Sequence, residues 1–322
     1  MVEVPVVSII IPVYNAENTL GRCLDSAINQ SFKNIEIVIV NDASTDKSQE
    51  IIDDYRSKDQ RIKSIVHSKN MNAGGAYNTG IKNSRGTYIL FLDNDDYLSL
   101  NCVEVLLQSS QNFTCDLVSG KWSTLYLNGR TKIVYNFPLE GSIEEKIKYT
   151  LVHGMRMMGM LIKRSIFIDN NLYFPEQVFY EDNAIAGCIQ MYAKSIVSIN
   201  ATTYYYVITT SSVTQSTTIK KMSDRVFTTE LFLNNLKNRH LYDSQYKSYF
   251  DVMYLRMCCN SIILLSKFRY LDIRELLSIV VAGIKVNRTK QAFNVLSKHN
   301  CFISFCPRIS YWTLRMYRNL FK

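Results

Sequence analysis

Within the first hundred residues, short apolar runs of strand length alternate with segments of helical spacing, and this alternation restricts the fold more than any other feature. Residues 6–11 form a nearly continuous apolar run ended by Pro12, and residues 35–40 form a second. Such runs suit strands buried on both faces. Residues 62–66 and 88–92 read as a third and a fourth strand. Between them, residues 17–30 carry Leu20, Leu24, Ala27 and Ile28 at helical spacing. Ser44 suits the N-cap of a helix reaching Lys58, and residues 74–82 make a short helix. The order βαβαβαβ predicts an α/β fold: a parallel, doubly wound sheet with right-handed crossovers.

After Asp96 the pattern changes. Residues 101–111 and 143–152 read as helices. Residues 116–119 and 132–137 read as strands around a turn at Asn128-Gly129. A polar segment at residues 180–183 precedes a helix to Tyr192, and residues 196–199 and 203–207 read as two further strands. Beyond residue 216 the spacing turns helical, with apolar residues such as Phe232, Leu236, Leu264, Leu277 and Leu296. A Ser/Thr-rich stretch at residues 211–221 marks the boundary. The expected organisation is an α/β domain over residues 1–215 and a helical region over 216–322.

The chain has 322 residues, 47% of them hydrophobic, which supplies a sizeable core. Its net charge of +9 favours an anionic partner such as a nucleoside diphosphate or an acidic membrane surface. Nucleic acid is not expected, because no basic motif is interleaved with aromatics. Eight cysteines form no Cys-x-x-Cys pair and only four histidines accompany them, so zinc is not expected and the thiols read as reduced. The first residues lack a basic leader, and no stretch reaches the ~18 apolar residues of a membrane span. The expected location is cytoplasmic.

In an open parallel sheet, ligands bind beyond the carboxyl ends of the strands. Three polar clusters fall there: Tyr14-Asn15 after the first strand, Asn41-Asp42 after the second, and Asp93-Asn94-Asp95-Asp96 after the fourth. Three aspartates within four residues repel unless a cation joins them, and a divalent ion completed by substrate phosphates answers that need. The plainer reading of the same residues is a solvated acidic turn. A carboxylate at Asp42 can accept the ring N–H of uracil, thymine or guanine, or can merely sit at a helix N-terminus. P-loop and dinucleotide fingerprints are absent. Ala73-Gly74-Gly75 either brings backbone near a phosphate or makes a tight turn.

Taken together, residues 7–15 (VSIIIPVYN), 40–46 (VNDASTD), 76–81 (AYNTGI), 91–96 (FLDNDD) and 180–182 (YED) resemble, in order and spacing, the family 2 glycosyltransferases of GT-A fold. The resemblance covers about residues 6–215, and its later part is similar to bacterial enzymes of capsule, O-antigen or cell-surface polysaccharide synthesis. It implies a nucleotide-binding half over about residues 1–100 and an acceptor-binding half over about 101–215. Pro12, Tyr14, Asn15 and Asp42 would line the nucleoside pocket, and Asp93 would approach the ribose or diphosphate. Asp95 would bind Mn²⁺ or Mg²⁺, and Asp182 would be the general base. The implied reaction is inverting transfer from a nucleoside-diphosphate sugar, UDP-linked for preference, to a glycan or lipid-linked acceptor.

The chain departs from that pattern at Tyr77, where many relatives carry Arg, at Asn72 for a frequent Gly, at Asn41 for a frequent Asp, and at Val207 for a frequent Arg. These changes remove candidate phosphate contacts. They keep open a non-catalytic nucleotide-sugar-binding subunit as a rival, and a nucleotidyltransferase is a second. Met155, Met157, Met158 and Met160 read as core filler or as an adaptable pocket. His67 and His153 read as structural. In the tail, Arg308, Arg315, Arg318 and Lys322 fall on one side of a helical pattern opposite Ile309, Trp312, Met316 and Leu320. This suits peripheral contact with the inner face of an anionic membrane, or equally a helix packed on protein.

Overall fold

The computed structural model describes residues 4–110, 113–208, 217–265, 268 and 270–287. Leu296, Cys301, Cys306, the tail 308–322 and residues 211–216 of the Ser/Thr-rich stretch lie outside the described residues. The molecule divides into two compact units, Met1–Ile147 with Met155–Gln215, and Lys148–Gly154 with Ser216–Lys322.

In the first unit, β1 (Val7–Val13) and β2 (Ile35–Asn41) are buried along their whole length. They pair in parallel, flanked by β3 (Ile62–Val66) and β4 (Tyr88–Phe91), in the order β3-β2-β1-β4, every pairing parallel. Both faces are covered. Val7, Ile9, Ile11 and Val13 share a core with Leu20 and Leu24 of α1 (Leu20–Ile28) and Ile52 of α2 (Ser48–Lys58). On the other face, Ile10 packs against bare Gly80 of α3 (Asn72–Asn83). That two-sided cover explains runs that are apolar rather than alternating.

Pro12 does not end β1, which continues to Val13. The Ile10 carbonyl accepts from Leu92 N, so Ile10 and Pro12 turn their backbone toward β4, which has already ended at Phe91. The missing N–H of Pro12 therefore breaks no ladder bond. α2 begins at Ser48 rather than after Ser44, because the Ser44 hydroxyl is taken by Asn15 N at 3.0 Å.

The sheet continues through β8 (Met160–Lys163), β6 (Leu117–Leu125), β9 (Ile196–Val207) and β5 (Tyr97–Leu98), with β7 (Thr131–Tyr135) added to β6. β8 runs antiparallel to both β4 and β6, while β6 and β9 pair in parallel. The two strands expected at 196–199 and 203–207 are one strand with an irregularity opposite Ser119–Trp122. The remaining helices of this part are α4 (Cys102–Gln108), α5 (Ile143–His153), α6 (Arg164–Ile168) and α7 (Asp182–Tyr192).

The second unit takes the last residues of α5 with α8 (Ile219–Asn238), α9 (Lys247–Leu265) and α10 (Tyr270–Asn287). Thr218 caps α8 by accepting from Lys221 N. Phe232 and Phe250 meet edge to face, and the Arg256 guanidinium donates to the Val152 carbonyl at 2.7 Å. No described helix is long and apolar enough to cross a membrane.

Candidate active site

Asp42 follows β2 directly, and Asp93 follows β4 after Leu92. Both strands flank β1 in parallel, so both carboxylates leave the sheet at one edge. The end of β1 ties them together. Asp42 N donates to the Val13 carbonyl at 2.7 Å, and Asn94 Nδ2 donates to the Pro12 carbonyl at 2.9 Å. Asn15, at φ 48°, accepts from Thr45 N at 2.8 Å and joins the loops after β1 and β2. Tyr14 beside it keeps 49% of its surface exposed, which leaves an aromatic face for a ligand.

Asp42 is buried and belongs to a relay. Its Oδ1 accepts from His67 Nδ1 at 2.7 Å and from Met71 N at 2.8 Å. A carboxylate only accepts, so Nδ1–H donates to it, and Nε2 hydrogen-bonds Thr79 Oγ1 at 2.8 Å. Both bonds fall on Oδ1. Among the described residues no hydrogen bond reaches Oδ2. An open groove alongside is lined by Val66, His67, Lys69, Met71, Thr79 and Glu176, among others.

The three aspartates after β4 do different work. Asp96 is fully buried and accepts from the Tyr204 hydroxyl at 2.7 Å and from Val207 N at 2.8 Å, which fastens β9 to the site. Asp93 accepts from the Tyr77 hydroxyl. Its dehydrated surroundings, with Asp95 and Asp182 adding like charge against the Tyr77 bond, push its carboxyl up to about 6. Enclosure also raises Asp95, which Arg22 partly offsets. The Arg22 guanidinium donates to the Asp95 carbonyl at 2.5 Å and lies over the Tyr97 ring. Beneath them Cys23 is fully buried, and burial with the three aspartates keeps it a thiol.

Asp182 is the first residue of α7, and its Oδ1 accepts from Asn183 N at 2.9 Å. It lies within electrostatic reach of Asp93, whose proton affinity it raises. Burial and then Asp182 push neighbouring Glu181 up to about 8. One helix brings these distant parts together. In α3, Tyr77 holds Asp93, while the Asn78 amide exchanges two 2.9 Å bonds with the Phe174 backbone. Gln177 N donates to the Met71 carbonyl, and the bare face of Gly74 admits the Pro175 carbonyl. Gly74 and Gly75 thus lie inside a helix and receive the loop before Asp182. They do not make the tight turn, one of the two readings expected from sequence.

The departures from the family pattern have local explanations. Asn72 adopts φ 59°, a conformation that favours glycine and that Asn tolerates. Asn41 bridges Gln49 and Ser44 N. Tyr77 packs edge-on to Phe91 and presents its hydroxyl to Asp93. Met155, Met157 and Met160 are buried.

A divalent cation fits this donor set. Asp93 and Asp95 crowd one another electrostatically, and no described group of three His, Cys, Asp or Glu side chains converges as a complete metal cage. Hard cations that use one or two carboxylates and take their remaining oxygens from phosphates need no such cage.

The model of glycosyl transferase family 2 matches residues 8–170, half of the chain, and takes in Asp42, the aspartates after β4, and β8. The chain belongs to glycosyl transferase family 2. Among its relatives, the uncharacterized glycosyltransferase EpsJ of Bacillus subtilis strain 168 is 32% identical over 66% of this chain and 64% of its own length. The glycosyltransferase GlyA of Streptococcus pneumoniae serotype 4 is 31% identical over 67% of this chain and 32% of its own. The chain therefore spans under two thirds of these relatives. Among solved structures, residues 1–349 of Staphylococcus aureus TarS in complex with UDP-GlcNAc superpose with a TM-score of 0.61 at 20% identity, covering 91% of each chain. The expected GT-A fold is the fold observed.

The residues expected from sequence, Pro12, Tyr14, Asn15, Asp42, Asp93, Asp95 and Asp182, all fall in the first unit, and the family match ends before Asp182. Sequence reasoning missed His67 and Glu181. His67 carried a usable signal, since it follows β3 directly, at the same sheet edge as Asp42. Glu181 carried none, because its shift comes from burial.

Proposed function

We propose that this family 2 member is an inverting glycosyltransferase that moves a sugar from a nucleoside diphosphate to a hydroxyl of a glycan or lipid-linked acceptor. The observation that carries the reading is that Asp42 after β2 and Asp93 and Asp95 after β4 leave the sheet at one edge, on either side of β1, with Asp182 in electrostatic reach of Asp93. Asp42 Oδ2 takes the imino N–H of uracil, and Tyr14 offers its ring to the nucleoside. The UDP-GlcNAc complex of TarS supports a UDP-linked donor.

Asp95, with Asp93 beside it, would hold Mn²⁺ or Mg²⁺. Such an ion supplies Lewis-acid charge to the departing diphosphate. Asp182 accepts the proton of the acceptor hydroxyl as its oxygen bonds to the anomeric carbon. The sugar–phosphate bond breaks with its electron pair leaving on the diphosphate, and a single displacement inverts the centre. Glu181, pushed up to about 8, keeps its proton at neutral pH and spares Asp182 an adjacent negative charge. The same reading assigns the protein to surface-polysaccharide synthesis at the cytoplasmic side of a membrane.

Acceptor-dependent UDP release from a panel of UDP-sugars with Mn²⁺ tests it. Asp182→Asn is expected to abolish transfer and spare UDP binding. Transfer at the wild-type rate by Asp182→Asn would refute the assigned base. Absence of any release across the panel, with UDP still bound, would favour a binding subunit.

A further inference from the structure

The hairpin of β6 and β7 is not used by the chemistry above, and its surface is unusual. The register pairs Lys121 with Tyr135, Ser123 with Ile133 and Leu125 with Thr131 on one face, and Trp122 with Val134 and Thr124 with Lys132 on the other. Trp122 and Val134 pack into the core, so the first face turns away from it. There Ile133 stays 54% exposed and Tyr135 39%. At the connecting turn, closed by Tyr126 N on the Arg130 carbonyl, Leu127 is 70% exposed and Tyr126 40%. Four large apolar side chains therefore stand in water on one short ribbon.

The charge on this ribbon has one sign. From Leu117 to Leu139 the sequence contains no Asp or Glu, while Lys121, Arg130 and Lys132 supply three cations. None of the three forms an ion pair among the described residues. Lys121 instead lies over the Tyr135 ring and donates to Asn200 Oδ1 at 2.8 Å.

We infer that the β6–β7 hairpin is a membrane-docking element, which enters an anionic bilayer turn first, seating Leu127 and Ile133 in the interfacial region with Arg130 at the turn and Lys132 on the opposite face of β7 reaching lipid phosphates. Aliphatic tips gain by entering hydrocarbon and gain little against sugar hydroxyls. Tyr126 and Tyr135 have the amphipathic rings that favour the headgroup level. The cations match the negative surface potential of anionic lipids. A second copy adding a strand to the outer edge of β7 is the competing occupant, and Lys132 on that strand with Arg130 at the turn before it oppose it. The inference stands on the hairpin and does not need the transferase reading.

Flotation of the full chain with vesicles tests it, using phosphatidylcholine alone and phosphatidylcholine mixed with phosphatidylglycerol, at low and high salt. Wild type is expected to float with the anionic vesicles at low salt only. Leu127→Asp and the double variant Arg130→Glu/Lys132→Glu are each expected to lose about tenfold in binding. All three positions are exposed, and circular dichroism checks that the variants remain folded. The double reversal Arg56→Glu/Lys58→Glu on α2 makes the same change in net charge and is expected to bind within about twofold of wild type. No wild-type binding, hairpin variants that float like wild type, or an equal loss in the α2 control would each overturn the inference. So would a Leu127→Asp variant that alters the oligomeric state in size-exclusion chromatography and leaves flotation unchanged, which would mark a self-association face.

Discussion

His67 Nδ1 stands 2.7 Å from Oδ1 of Asp42, and the pair reaches on to the Thr79 hydroxyl. The relay fixes the carboxylate rotamer and leaves Oδ2, the oxygen proposed to meet the nucleobase, without a hydrogen bond among the described residues. His67→Ala removes a hydrogen bond to a charged group, a loss of about 1.5 kcal/mol or ~10-fold in affinity. UDP binding by calorimetry should weaken by that factor, and Thr79→Val should weaken it less. Unchanged affinity in His67→Ala would separate Asp42 from base recognition.

Tyr77 stands where many family members carry Arg, and its hydroxyl bonds Asp93. Tyr77→Phe keeps the ring against Phe91 and Phe174, so the fold should hold. Asp93 then loses its donor, and turnover should fall by about tenfold. A Tyr77→Phe enzyme of wild-type rate would make the phenol a packing residue only.

Gly74→Ala sets two effects against each other. Alanine gains about 1 kcal/mol of helix propensity. Its Cβ collides with the Pro175 carbonyl oxygen, a backbone atom that cannot swing aside. Such overpacking costs about 1–3 kcal/mol, so the clash should win. The expected outcome is a Tm lower by about 2–6 °C and slower transfer, since the Pro175 loop leads to Asp182. A raised Tm would show that the loop yields.

Glu181 is pushed up to about 8 in the folded protein against a usual 4.5, and Asp93 to about 6 against 3.8. Across those windows the native state binds more protons than the unfolded chain, so stability falls as pH rises. The Glu181 contribution is fully present below 4.5 and is lost by about pH 8. Thermal melts from pH 5 to 8 should show a declining Tm, and Glu181→Gln should flatten the decline. A Glu181→Gln slope equal to wild type would mean that the carboxyl is ionised throughout.

The first hundred residues were legible in sequence because the central strands there are buried on both faces, as at Val7–Val13 and Ile35–Asn41, which leaves an apolar run that one reading fits. The second half was less so. β5 has two residues and β8 four, too short for a period, and each exists only through a distant partner such as Tyr204 for Leu98. Asp42, Asp93 and Asp182 stood out as acids at element ends. The roles of Tyr77, Asn78 and Gly74 did not, because they depend on a loop about 100 residues away that sequence spacing does not display.

The central claim is that one sheet edge binds a nucleoside diphosphate through Asp42 and a cation through Asp95. Calorimetric titration of UDP into wild type and Asp95→Asn, each with and without Mn²⁺, tests it most directly. Tight binding by wild type only with Mn²⁺, and loss of that metal dependence in Asp95→Asn, is the expected result. Binding by Asp95→Asn with the affinity and metal dependence of wild type would contradict it.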